Sequence, residues 1–106
     1  MAKYLLQVNY TLDGIRGVMD KGGSAREKAA REATESLGGK IDSFYFAFGE
    51  TDVVVIADFP DSVSAAALAL AVSAGGGATV RTTVLLTPKE VDKAAKKQVT
   101  YRPPGS

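Results

Sequence analysis

The chain has 106 residues, 45% of them hydrophobic and 24% charged, and its 13 Lys and Arg nearly balance its 12 Asp and Glu. That length and apolar content fit one globular core, and a net charge of +1 leaves no general basic footprint for nucleic acid or anionic lipid. With no Cys and no His, the chain has no disulfides, thiolate nucleophiles, Cys- or His-ligated metal or haem, and no triad with a His base.

The first strand is expected over Lys3 to Tyr10, with Leu6, Val8 and Tyr10 alternating against Leu5, Gln7 and Asn9. Thr11 can cap a short helix over Leu12 to Asp20 that aligns Ile15, Val18 and Met19, and Lys21-Gly22-Gly23 interrupts it. Ser24-Ala25-Arg26-Glu27 has the spacing of a capping box and opens a helix to Leu37, stopped by Gly38-Gly39. Ala29, Ala30, Ala33 and Leu37 form its expected buried stripe. Glu27–Arg31, Arg31–Glu35 and Lys28–Glu32 are spaced for ion pairs on its wet face.

Two strands follow, Ile41 to Phe48 and Asp52 to Phe59, joined by Gly49-Glu50-Thr51. Alternation puts Phe44, Phe46 and Phe48 on one face and Tyr45 and Ala47 on the other. Val53-Val54-Val55-Ile56 is apolar on both faces, as in a doubly covered central strand. Pro60 ends that strand, and Asp61 or Ser62 caps a helix over Val63 to Ala74 that Gly75-Gly76-Gly77 terminates. A fourth strand spans Thr79 to Leu86. Thr87-Pro88-Lys89-Glu90 opens a last helix running to about Gln98, with Pro near its first position. Residues 1–98 therefore read as one domain and Val99 to Ser106 as an extended tail. The longest apolar run, Val63 to Ala74, is about 12 residues against the ~20 a bilayer span needs, so no membrane association is expected. A Cys-free chain with no apolar leader in Met1 to Gln7 fits a cytoplasmic location.

The order βαββαβ plus a C-terminal helix is that of an α+β, ferredoxin-like fold. It predicts a four-stranded antiparallel sheet of order 4-1-3-2 with helices on one face. The other face, expected to carry Leu5, Tyr45, Val54, Ile56 and Leu85, is left without cover from its own chain. An apolar face of several hundred Å2 is more than monomers usually expose, so the chain itself is the expected partner, in a homodimer or higher assembly.

The segment Phe44-Tyr45-Phe46-Ala47-Phe48-Gly49-Glu50-Thr51-Asp52-Val53-Val54-Val55 resembles the signature of the GYD domain family. So do Thr11-Leu12-Asp13-Gly14, Gly38-Gly39 and Arg81-Thr82-Thr83, and the resemblance covers roughly residues 3 to 92. Of the family's Gly-x-Tyr-Asp motif, Gly49 and Asp52 match, while Thr51 stands in the place of the Tyr. The resemblance implies a bacterial protein with a ferredoxin-like fold of the dimeric α/β-barrel kind. It implies no particular reaction. Related barrel families include cofactor-free monooxygenases, isomerases and haem enzymes, an analogy at the level of fold alone.

The topology gathers Asn9, Tyr10, Asp52, Arg81 and Thr83 toward one end of the sheet as candidate ligand-binding residues. A carboxylate, a guanidinium and a phenol beside glycine turns suit binding or polarisation of a small organic carboxylate. The plain alternative is that Asp52 caps the hairpin and pairs with Arg81. Asp52, Arg81 and Tyr45 are the catalytic candidates, and Tyr45 serves equally as an interface residue. Lys21 to Arg26 precedes a helix N-terminus but matches no phosphate-loop spacing. Lys89, Lys93, Lys96 and Lys97 form a solvated face without the interleaved aromatics that nucleic-acid binding would need. The reading is a homo-oligomeric small-molecule-binding or regulatory protein needing no metal or cofactor. The alternatives are a small cofactor-independent oxygenase or isomerase using Asp52, Arg81 and a Tyr, and a purely structural assembly module.

Overall fold

A computed structural model describes residues 1–105. The elements in chain order are β1 (Ala2–Tyr10), α1 (Leu12–Lys21), α2 (Gly23–Ser36), β2 (Lys40–Phe46), β3 (Val53–Phe59), α3 (Ser62–Ala74), β4 (Ala78–Leu85) and α4 (Pro88–Ala95). All sheet pairings are antiparallel and the order is β2-β3-β1-β4, the expected 4-1-3-2 read from the other edge. The fold is α+β and ferredoxin-like. Ser106, the last residue of the expected tail, lies outside the described residues.

Strand alternation places the core. Tyr4 and Leu6 of β1 and Val53, Val55, Ala57 and Phe59 of β3 are buried, with Ile41 and Ala65 joining them. The Tyr4 and Phe59 rings meet edge to face at 5.8 Å, and the Tyr4 hydroxyl lies 3.2 Å from Ser62 Oγ, which satisfies its polar tip. α2 packs over β2, and α3 packs over β3 and β4.

Several expectations need correction. The Ser24–Glu27 capping box does not form. The chain passes from α1 to α2 through Gly22 alone, at φ +88°, which serves both helices as a cap and donates its N–H to Val18. Ser24 is thereby already inside the first turn of α2, and Glu27 turns to Arg31 instead. Arg31 is spent on Glu27 and the Ile41 carbonyl, so it makes no pair with Glu35. Lys28 and Glu32 likewise do not pair among the described residues. In the α2 stripe, Ala29 is exposed, while Thr34 is fully buried with its hydroxyl donating to the Ala30 carbonyl.

β2 ends at Phe46, short of the expected Phe48, and Phe48 is wholly exposed. A bulge between Ile41 and Ser43 shifts the register, so that Ile41 and Phe44 both face the core despite their odd spacing. Val54 and Ile56 are half-buried on the sheet's second face, so β3 is covered on one side only within the chain. α4 stops at Ala95 and not near Gln98, every one of its residues is exposed, and the capping box that the chain does form is here, between Thr87 and Glu90.

Candidate functional site at the Tyr10 end of the sheet

The β1–β3 ladder runs out at Val8 and Val53. Beyond it the Tyr10 N–H has no strand carbonyl to meet, and the Asp52 carboxylate takes that place: Tyr10 N donates to Asp52 Oδ2 at 2.8 Å. The Asp52 backbone continues the pattern, with its N–H donating to Val8 O and its carbonyl accepting from Ala47 N, both at 2.9 Å. The Asn9 amide donates to Glu50 O at 2.8 Å, and Arg81 Nη2 donates to the hydroxyl of buried Thr51 at 2.9 Å. Residues 50–52 of the β2–β3 loop are thus fastened to strands β1 and β4.

α1 is clasped to the α3–β4 turn by the same logic. Thr11 donates from its backbone N to Gly77 O and from its hydroxyl to Gly76 O, both at 2.9 Å, and its hydroxyl accepts from Gly14 N as the N-cap. Gly14 lies so close that a Cβ there would stand 1.9 Å from Gly77 O. Only glycine permits this approach.

Two spaces open on the helix side of Tyr10. The first is a cavity of about 110 Å3 between the sheet and helices α2 and α3. Its walls include Leu6, Val8, Val55, Leu68 and Val80, and its only polar side chains are Tyr10, Thr34 and Arg26. Ala29, Ala30 and Ala33 leave this room because each presents only a methyl group to it, with Arg26 and Thr34 as the larger side chains from α2. Arg26, in the first turn of α2, has no ion pair among the described residues. The second space is a groove of about 320 Å3 between α1 and the β2–β3 loop, lined by Tyr10, Ile15, Val18, Phe46, Phe48 and Asp52 among others.

The sequence-derived candidates divide between the two faces. Tyr10 and Asp52 share the groove on the helix side. Arg81 and Tyr45 lie on the uncovered face, in one cross-strand row Tyr45–Val54–Gln7–Arg81, at opposite edges of the sheet. Thr83 follows Arg81 on that face, and Asn9 is committed to Glu50. Asp52 and Arg81 are therefore not brought together: β1 lies between their strands and each has a different partner. Sequence reasoning sets Arg26 at a helix N-terminus and Phe46 and Phe48 on one face of a strand, and names none of the three as lining a site. The signal for Arg26 was available, since Arg26, Ala30, Ala33 and Leu37 recur at helical spacing on one face.

At the far end of the uncovered face, Lys3 pairs with Asp42 and stands 3.2 Å from both oxygens of Asp58. The Asp42 and Asp58 carboxylates raise the Lys3 pKa above its ordinary value, and Lys3 lowers that of Asp42. Among the described residues no three acidic side chains converge to hold a metal ion, and no helix is long and apolar enough to cross a membrane.

The family model described as the GYD domain matches residues 4–95. Neither the curated proteins nor the solved structures contain a match to the chain.

Proposed function

The chain belongs to the GYD domain family, and from that premise we propose that it is a homo-oligomeric small-molecule-binding protein whose ligand is a small apolar molecule carrying a carboxylate. The observation that carries this reading is the cavity of about 110 Å3 under α2, apolar except for Tyr10, Thr34 and Arg26. Thr34 is committed to the Ala30 carbonyl, so Arg26 and Tyr10 are the groups left to meet a ligand. Apolar cavities of ~150 Å3 stay dry and take up a benzene-sized molecule, and this one is of that order. A guanidinium at the N-terminal turn of a helix, where the dipole is positive, favours an anionic end on that molecule.

The oligomer is supported by the uncovered sheet face, where the register sets Leu5 beside Ile56, Val54 beside Tyr45 and Leu85 beside Lys3. Burying ~800 Å2 per subunit is the usual scale of a specific interface. The cavity and that face lie on opposite sides of the sheet, so one copy can bind a ligand and a second copy at once.

Benzoate is the probe, read by calorimetry. It should bind, benzyl alcohol should bind several-fold more weakly, Arg26→Gln should remove that preference, and Ala33→Leu should fill the cavity and abolish binding. Benzoate binding that survives Ala33→Leu in a folded variant would sink the reading.

A further inference from the structure

We propose that the groove between α1 and the β2–β3 loop is a second binding site, for a small N-methylated organic ammonium ion, with the Asp52 carboxylate as its counter-ion. The proposal does not rest on what fills the Arg26 cavity, because the groove shares only Tyr10 with that cavity and its charge is of opposite sign.

Asp52 is the only charged side chain lining the groove. It is half-buried, and no Lys or Arg pairs with it among the described residues. One oxygen is occupied by the Tyr10 N–H, which holds the carboxylate in place without neutralising it. A carboxylate set among apolar walls favours an entering cation over a neutral molecule of the same shape, because the cation offsets the cost of drying the charge.

The aromatic lining narrows the class of cation. Tyr10, Phe46 and Phe48 all border the groove, and aromatic faces attract cations within about 6 Å. Phe46 is held by an edge-on contact with Phe44 at 5.6 Å, and Gly23 lies so close that a Cβ there would stand 2.9 Å from the Phe46 ring. Phe48 is wholly exposed at the lip, a position that nothing in the packing of this chain requires. A metal ion would need several oxygen donors, and the groove offers one carboxylate. A primary ammonium would lose most of its hydration for a single acceptor. An N-methylated cation needs few hydrogen bonds and matches rings plus one carboxylate.

The test compares choline with 3,3-dimethylbutan-1-ol, which has the same shape with carbon in place of nitrogen, at matched ionic strength on isotopically labelled protein. Choline should shift the amide signals of Ala47, Phe48 and Asp52, and the neutral alcohol should bind roughly tenfold more weakly. Asp52→Asn keeps an oxygen for the Tyr10 N–H and removes the charge, so it should erase the difference between the two probes. Phe48→Ala, at an exposed position, should weaken choline by roughly threefold without lowering the melting temperature. Equal binding of the two probes by the parent protein would overturn the proposal, as would choline binding that neither variant changes. Should Asp52→Asn fail to fold, Phe48→Ala and the probe pair still decide. Loss of benzoate binding in the Arg26 cavity does not bear on either result.

Discussion

On the helix side of the sheet, Tyr4, Val53, Val55, Ala57 and Phe59 are buried, whereas one residue along the same strands Leu5, Val54 and Ile56 are only half-buried. The strands and hydrogen bonds are shared, so the difference comes entirely from what lies above each face. Helices α2 and α3 cover one, and no element among the described residues covers the other. The covered face gains stability from packing within one copy and, because α2 is rich in alanine, keeps an unfilled cavity. The uncovered face leaves its apolar residues Leu5, Val54 and Ile56 half-buried, so they gain less from packing within one copy. The proposed ligand and the proposed partner fall on opposite sides of one sheet.

The largest effect expected is on the covered face. Phe59 is completely buried against Tyr4, and Phe59→Ala should cost about 3–5 kcal/mol in denaturant unfolding. A loss under about 1 kcal/mol would mean that this face is not the core. Next is Gly14→Ala, where a Cβ would meet Gly77 O at 1.9 Å. Because the obstacle is backbone, the α1 clasp must open, and we expect a loss of about 1–3 kcal/mol with faster amide exchange in α1. Unchanged exchange in α1 would count against the clasp.

Ile56→Glu probes the other face. It should cost the isolated fold about 1 kcal/mol or less and abolish association, so that light scattering reports a monomer and the melting temperature no longer depends on protein concentration. An assembly that persists in this variant would move the interface elsewhere.

The smallest effect is electrostatic. Hydrogen bonds from Ser64 hold the Asp61 carboxyl below its ordinary pKa at the α3 cap, and the Thr87 N–H does the same for Glu90 at the α4 cap. Depressed carboxyls add stability above their unfolded-state pKa, and that contribution is lost as the pH falls through their folded-state values. Acid unfolding should therefore become less steep in Asp61→Asn, which keeps a capping oxygen but cannot titrate. Superimposable acid profiles of parent and variant would refute this assignment.

How much of this was legible in the sequence differs between the faces. The alternation Leu6, Val8, Tyr10 against Leu5, Gln7, Asn9 is written in β1, and the order of elements led to the sheet order. The bulge at Ile41 and Ser43 was not legible, because an inserted residue reverses strand parity without changing composition. Nor was the cap shared by α1 and α2 at Gly22, where a serine-based capping box looked stronger than a positive-φ glycine. For the site, Tyr10 and Asp52 were read as neighbours and the structure brings them together. Arg81 was read with Asp52, but a residue one step away, Thr51, takes its hydrogen bond, and spacing along a loop cannot say which of two adjacent side chains turns to which face.

The central claim, ligand on the helix side and partner on the other, is tested most directly by mapping amide shifts across the sheet while titrating labelled protein with benzoate. Shifts are expected around Tyr10, Arg26, Ala30 and Val80, the residues about the cavity of about 110 Å3, with the Leu5–Ile56 row unmoved. Shifts centred on Leu5, Val54 and Ile56, or none around Arg26 at saturating benzoate, would contradict it.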